Sequence, residues 1–143
     1  MVPSKRIVAE RMVELIALNP GQKLFDLGSG DGRVLIVAAR KHLKAVGIEI
    51  NPYVWIFSWI MVLLARQIPH VTIFLGNYWK KDLRTADGVV VYGLPQIMVR
   101  LGEKLKRELK PGTRVVSNSF KIPSLKLLKE EVVSGTRIYL YQV

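Results

Sequence analysis

The sequence predicts an α/β fold, a doubly wound and mostly parallel sheet with one antiparallel strand, and three observations predict it. The apolar run Leu24-Phe25-Asp26-Leu27 leads into Gly28, Gly30 and Gly32 at alternate positions, and a helical pattern follows at once. A second apolar run, Ala45-Val46-Gly47-Ile48, ends on Glu49, nineteen residues after Gly30. Helical and extended patterns then alternate along the chain and close on a hairpin, the arrangement expected of parallel crossovers followed by one reversed strand.

The elements follow in order. Ser4 is placed as a helix N-cap, and Ile7, Val8, Met12, Leu15 and Ile16 recur at helical spacing until Asn19-Pro20-Gly21 stops the helix. Strand one is expected at about 23–27, helix two at about 32–42 and strand two at about 45–49. Asn51-Pro52 opens an apolar helix that ends near Gln67. Extended runs are expected at about 71–75 and 88–92, an amphipathic helix at 95–109 and a strand at 113–117. Glu131-Val132-Val133, Ser134-Gly135 and the run 136–142 read as a hairpin.

A length of 143 residues suits one domain, 1–143, with little room for a separate substrate domain. The formal charge is +11, so the partners to expect are acidic: nucleic acid, anionic lipid or acidic protein. Without cysteine there is no disulfide, no cysteine-based zinc site and no cysteine nucleophile, and no metal is expected. His42 and His70 read as surface or loop residues. The N-terminus turns polar and helical at once, so no signal peptide is expected and the compartment is expected to be the cytoplasm. The apolar run 53–65 is too short to span a bilayer, which takes about 20 residues. It reads first as a buried helix. Because it is apolar on every side, one side is also free to cover a ligand, meet a second subunit or touch a membrane surface.

The glycine run carries the chemistry. Glycines allow a tight turn and a close backbone approach to a ligand. A dinucleotide fingerprint needs Gly-x-Gly-x-x-Gly, and here the third position is Arg33. Asp26-x-Gly28-x-Gly30-x-Gly32 instead resembles the first motif of class I S-adenosylmethionine methyltransferases. That resemblance implies S-adenosyl-L-methionine as cofactor and S-adenosyl-L-homocysteine as product. The methionine part would lie over Gly28, Ser29, Gly30 and Gly32, and the ribose diol would donate to Glu49. Asp26 would orient the loop or reach the ligand ammonium through water. Asn77, after strand three, could accept from the adenine amino group, where many relatives place an acid. Tyr78 and Ile50 would flank the adenine ring or belong to the core.

After strand four comes Tyr92-Gly93-Leu94-Pro95, where amino-methylating DNA enzymes keep Asp/Asn-Pro-Pro-Tyr; that motif is absent. Val2-Pro3-Ser4, the 26–33 loop, Gly47-Ile-Glu-Ile-Asn-Pro52, Tyr92-Gly-Leu-Pro95, Leu109-Lys-Pro-Gly-Thr-Arg-Val-Val-Ser117 and Arg137-Ile-Tyr-Leu-Tyr141 occur in that order. Together they resemble the small seven-strand protein-lysine methyltransferases. That family includes a broad-specificity archaeal enzyme and mitochondrial enzymes acting on the ATP synthase c-subunit and the adenine nucleotide translocase. The resemblance covers nearly the whole chain. It implies a Rossmann-like doubly wound seven-strand sheet of order 3-2-1-4-5-7-6 with the last strand antiparallel. Tyr92, Gly93 and Leu94 would then line the slot for the methyl acceptor, with Ser4 and Ser117 as polar rims, although Ser4 equally reads as a plain cap. Relatives usually carry Ser-His-x-Phe where this chain has Ser117-Asn118-Ser119-Phe120.

The expected activity is methyl transfer to lysine side chains of protein substrates, acidic ones by the charge argument. The alternative is an RNA or other nucleic-acid methyltransferase with the same cofactor. A membrane-surface or partner-binding module without catalysis is a third reading, against which the intact loop and Glu49 argue. Peripheral membrane contact and a monomeric or homodimeric state stay open.

Overall fold

A computed structural model describes residues 3–93 and 95–143. The element order is α1 (Pro3–Ile16), β1 (Lys23–Leu27), α2 (Arg33–Arg40), β2 (Lys44–Glu49), α3 (Pro52–Leu64), β3 (Val71–Leu75), β4 (Gly88–Val91), α4 (Met98–Glu108), β5 (Arg114–Asn118), β6 (Lys126–Val133) and β7 (Thr136–Gln142). The strands form one seven-stranded sheet of order β3-β2-β1-β4-β5-β7-β6. β1 pairs in parallel with β2 and β4, and β7 runs antiparallel to both β5 and β6. The expected order and the reversed last strand are both observed. Asp26 lies level with Gly47 on one side and Val90 on the other. The carboxyl ends of β1 and β4 are therefore adjacent where the strand order reverses, which is where open α/β sheets bind ligands.

The central strands are apolar on both faces because helices cover both. On one face α1, α2 and part of α3 bury Val8, Met12, Leu35 and Ala38 against Leu24 and Val90. On the other, Leu101 and Leu105 of α4 pack on Phe25, Val89 and Val115. Each of the larger side chains among them contributes about 1.5–3 kcal/mol relative to leaving it in water. α1 is also held to the edge hairpin. Arg11 donates to both carboxylate oxygens of Glu131 at 2.7 and 3.1 Å and holds that carboxyl down to about 2.

Four differences from the sequence reading have local causes. Helix α2 stops at Arg40, because His42 takes a left-handed φ of 62°. A short 3-10 turn at Pro95–Ile97 precedes α4, which therefore starts at Met98. β6 starts at Lys126, five residues before the expected hairpin arm, because this edge strand is solvent-facing and carries charges in place of an apolar pattern.

The fourth difference is α3, which is not a buried helix. Its N-terminus is built as the sequence predicts: Asn51 Oδ1 accepts from the Tyr53 and Val54 amides, and Pro52 opens the first turn. Within α3 only Ser58 and Val62 are buried, because the helix lies over the edge strand β3 and no further element among the described residues covers it. Trp55 Nε1 donates to the Ile73 carbonyl at 2.8 Å and ties the helix to that edge. No helix among the described residues is long and apolar enough to cross a membrane. His42 and His70 are exposed, as expected.

One buried cation organises the loop after β3. Lys104 Nζ donates to Glu108 Oε2 at 2.6 Å and to the Trp79 and Lys81 carbonyls at 3.1 and 2.9 Å. Both charged side chains are almost fully buried, at 6% and 7% exposure. Burial raises the Glu108 pKa, but the Lys104 hydrogen bond and the Leu83 amide outweigh it and leave the carboxyl below its ordinary value. Lys104→Ala should therefore cost about 3–5 kcal/mol in chemical denaturation at neutral pH, since it leaves the buried Glu108 carboxylate without its cation and takes a donor from two carbonyls. A depressed carboxyl stabilises above its unfolded pKa of about 4.3 and loses that contribution as pH falls through its folded value. The difference between wild type and variant should accordingly shrink in acid.

Candidate active site

The site is built from the chain reversal after β1. The Gly28 and Ser29 amides both donate to the Ile48 carbonyl, at 3.0 and 3.2 Å, so the loop is drawn over the end of β2. Gly28 and Gly30 take φ values of 79° and 56°, a region L side chains rarely occupy. A Cβ on Gly30 would meet nothing within 4 Å, so this backbone faces open space. Gly47 makes the approach possible, because a Cβ there would lie 2.9 Å from Ser29 Cβ and 2.7 Å from Leu35 Cδ1.

Glu49 closes the arrangement. One carboxylate oxygen accepts from the Gly30 amide at 3.0 Å and the other from the Asn51 amide at 3.1 Å. A carboxylate has about four acceptor positions, so each oxygen keeps one for a ligand donor. Ser29 Oγ is buried and has no hydrogen-bond partner among the described residues.

Beside this loop lies a cleft of about 350 Å³. It brings together the predicted Asp26, Gly28, Ser29, Gly30 and Tyr92. Val8 and Met12 of α1 and Val90 of β4 make its apolar wall. Tyr92 is 58% exposed, and its ring lies 6.5 Å from that of Phe120.

The other predicted residues lie around this centre. Gly32 caps the start of α2 with a φ of 83°, and a Cβ there would lie 3.5–3.6 Å from Ser58 and Val62 of α3. Ile50 is exposed at the lip next to Glu49. Asn77 Oδ1 accepts from the Trp79 amide at 2.9 Å and shapes its own turn, and Tyr78 packs against Trp79 at 5.1 Å. Gly93 is buried against Ile97 and Met98. Leu94 and the side chain of Ser4 lie outside the described residues. Ser117 is fully buried and donates to the Phe120 carbonyl, so it is no rim of the slot; it shapes the turn instead.

Lys5, Arg33, Asn118, Ser119 and Thr136 also line the cleft, and the motif reading did not single them out as binding residues. Ser119 holds a left-handed φ of 75°, donates its hydroxyl to Asn118 Oδ1 at 2.6 Å and donates its amide to Arg137. The departure at Asn118 from the Ser-His-x-Phe pattern was the only sequence signal there.

Three carboxylates meet at the loop. Asp31 is matched by Arg33, which donates to both its oxygens at 2.6–3.1 Å and outweighs burial to hold the carboxyl below its ordinary value. Asp26 has no hydrogen-bonded cation among the described residues, and Arg33 lowers its pKa only through space. Burial, and then the negative charges of Asp31 and Glu49, push its carboxyl up to about 8. An uncharged Asp26 at neutral pH is a site that gains by receiving positive charge.

The ANTKMT methyltransferase domain matches residues 26–129. Over 85% of this chain, the human lysine N-methyltransferase of the ATP synthase c-subunit is 36% identical, and the chain spans about half of that protein, 52%. A protein-lysine N-methyltransferase of Saccharolobus islandicus is 34% identical over 99% of this chain and 92% of its own length. Among solved structures, an RNA methyltransferase of Salinibacter ruber in complex with S-adenosyl-L-homocysteine superposes with a TM-score of 0.89 and 31% identity, covering 95% of this chain and 90% of that one. A glycine loop pinned to Glu49, a cleft at the sheet's reversal point and these matches together show that the chain belongs to the ANTKMT methyltransferase domain family.

Proposed function

We infer that this protein transfers a methyl group from S-adenosyl-L-methionine to the amine of a lysine side chain in protein substrates. The observation that carries the reading is the glycine loop, pinned by Glu49 and open to a cleft beside Tyr92, in a chain that aligns nearly end to end with an archaeal protein-lysine methyltransferase. The residues present fit the cofactor: Glu49 keeps acceptor positions for a ribose diol, Ser29 Oγ is unpartnered, and the cleft has the volume of a small-molecule site.

Bound S-adenosyl-L-methionine supplies an electrophilic methyl group on a sulfonium. What the chain does is hold and desolvate. Glu49 holds the 28–30 loop along the cleft, and Tyr92, whose carbonyl lies 3.7 Å from the Cβ position of Gly28, lines it beside that loop, where the acceptor would enter. Such positioning contributes up to roughly 7–11 kcal/mol in favourable cases. A lysine has an unperturbed pKa near 10.4 and must be neutral to attack. The apolar wall of Val8, Met12 and Val90 favours that neutral form by desolvation. The charge of +11 favours acidic target proteins.

The second reading is an RNA methyltransferase, which the same charge and the Salinibacter ruber match support. Incubation with radiolabelled cofactor and cell extract separates the two. Label should be removed by protease, and hydrolysates should contain methyl-lysine by mass spectrometry. Methylated nucleosides without methyl-lysine would replace the first reading by the second.

Two further outcomes test the cofactor site. Glu49→Ala should weaken S-adenosyl-L-homocysteine binding by about 1.5–3 kcal/mol in calorimetry, the range for losing hydrogen bonds to a charged group. Asp26 should make binding of the cationic cofactor release protons at pH values below about 8, as the carboxyl ionises beside positive charge. Calorimetric enthalpies at pH 7 should then depend on the buffer's ionisation enthalpy, and Asp26→Asn should remove that dependence.

A further inference from the structure

Helix α3 presents a second surface that the methyl-transfer site does not use. Tyr53, Ile56, Phe57, Ile60, Leu63 and Leu64 recur at intervals of three and four and share its outer face. All six are exposed, Tyr53 at 84% and Leu64 at 72%. No charged residue occurs anywhere in the helix. Ile50 before it and Ile68 after it, both exposed, lengthen the strip. A contiguous apolar patch of this kind on a folded domain marks a contact surface.

The charge around the strip says which kind. From Val34 to Lys81 the chain carries Arg40, Lys41, Lys44, Arg66, Lys80 and Lys81 against Glu49 alone. Asp31 and Asp82, which bracket that stretch, are already paired with Arg33 and Arg84. Glu49 is engaged with two backbone amides. The rings of His42 and His70 meet at 6.5 Å, which brings the turn after α2 beside the turn after α3. Arg40, Lys41, Lys44 and Arg66 therefore collect at the C-terminal end of the apolar strip. Lys81 lies 3.5 Å over the Phe74 ring on the edge strand next to it.

We propose that α3 is a membrane-docking helix, which lies along an anionic lipid surface with its outer face among the acyl chains and this basic rim at the headgroups. Thirteen residues make a rod of about 20 Å, too short to span and long enough to lie in the interface. Apolar area and attraction to anionic lipid then act together. A second copy of this chain is the weaker occupant, because two like faces with the same basic rim repel each other. α3 begins three residues after Glu49, so docking brings the cofactor end of the sheet to the bilayer.

The test is co-flotation of the purified chain with vesicles of phosphatidylcholine alone and of phosphatidylcholine mixed with phosphatidylglycerol. Flotation with the anionic vesicles, reduced by added salt, is expected. Ile60→Ser with Leu64→Ser should lower partitioning by about tenfold for each aliphatic side chain removed. Arg66→Gln should lower it less and weaken the salt dependence. The circular dichroism spectrum and S-adenosyl-L-homocysteine affinity of these variants should match the wild type, since none of the three residues lines the cleft. Absence of flotation on anionic vesicles, or equal flotation of the serine variant, overturns the proposal. So does a dimer in sedimentation velocity that the serine substitutions dissociate, because the face is then covered by a second copy.

Discussion

The site depends on how the chain after β1 is fastened to the end of β2. Three amides of one loop, those of Gly28, Ser29 and Gly30, donate to two acceptors at the end of one neighbouring strand, the Ile48 carbonyl and the Glu49 carboxylate. The backbone can follow that path because Gly28 and Gly30 tolerate left-handed φ values and because Gly47 leaves room for Ser29 above β2. A loop held this way has lost its conformational freedom before any ligand arrives. The entropy that binding would otherwise have to remove is already gone, which is the physical content of preorganisation.

The electrostatics follow from the same fastening. Drawing the loop over β2 gathers Asp26, Asp31 and Glu49 into one small volume. Two of them have local partners: Arg33 for Asp31, and backbone amides for Glu49. The third sits on a strand buried on both faces and has its pKa raised first by that burial and then by the other two. The apo fold thus bears a cost in one carboxyl: the stability that the protonated form contributes is complete below the unfolded value near 3.9 and is lost as pH rises through about 8. A cation placed in the cleft relieves that cost, which couples occupancy of the site to its protonation.

The glycine path and the acid nineteen residues on were legible in the sequence, but Glu49 was read as a ribose acceptor, and its closure of the loop through the Gly30 and Asn51 amides was not. The strand order became legible through resemblance, since alternation alone fixes a parallel sheet but not which strands are neighbours. The far wall of the cleft was not legible. Lys5 and Met12, Asn118 and Ser119, and Thr136 come from three separate segments that meet only once the sheet is assembled. Ser117 misled because a hydroxyl in a motif says nothing about where it points, and here it is turned inward to the Phe120 carbonyl. Asn77 Oδ1 shapes a turn through the Trp79 amide and keeps a second acceptor position. The apolar run 53–65 misled for another reason. Hydropathy shows that a helix has no polar side, but burial depends on whether a further layer exists, and at the β3 edge none does.

That edge position gives α3 two functions at once. Its inner face closes the sheet, through the Trp55 bond to the Ile73 carbonyl and through Val62 in the core. The same inner face carries the Ser58 and Val62 atoms that lie 3.5–3.6 Å from the Cβ position of Gly32, the last glycine of the loop. Its N-cap, Asn51, gives its amide to Glu49 and its side chain to the first turn of the helix. The helix is thus joined to the loop at both ends of the Glu49 contact, by packing at Gly32 and by hydrogen bonds at Asn51. A surface that engages the outer face of α3 therefore meets a helix whose N-cap shares the Glu49 carboxylate with the cofactor loop.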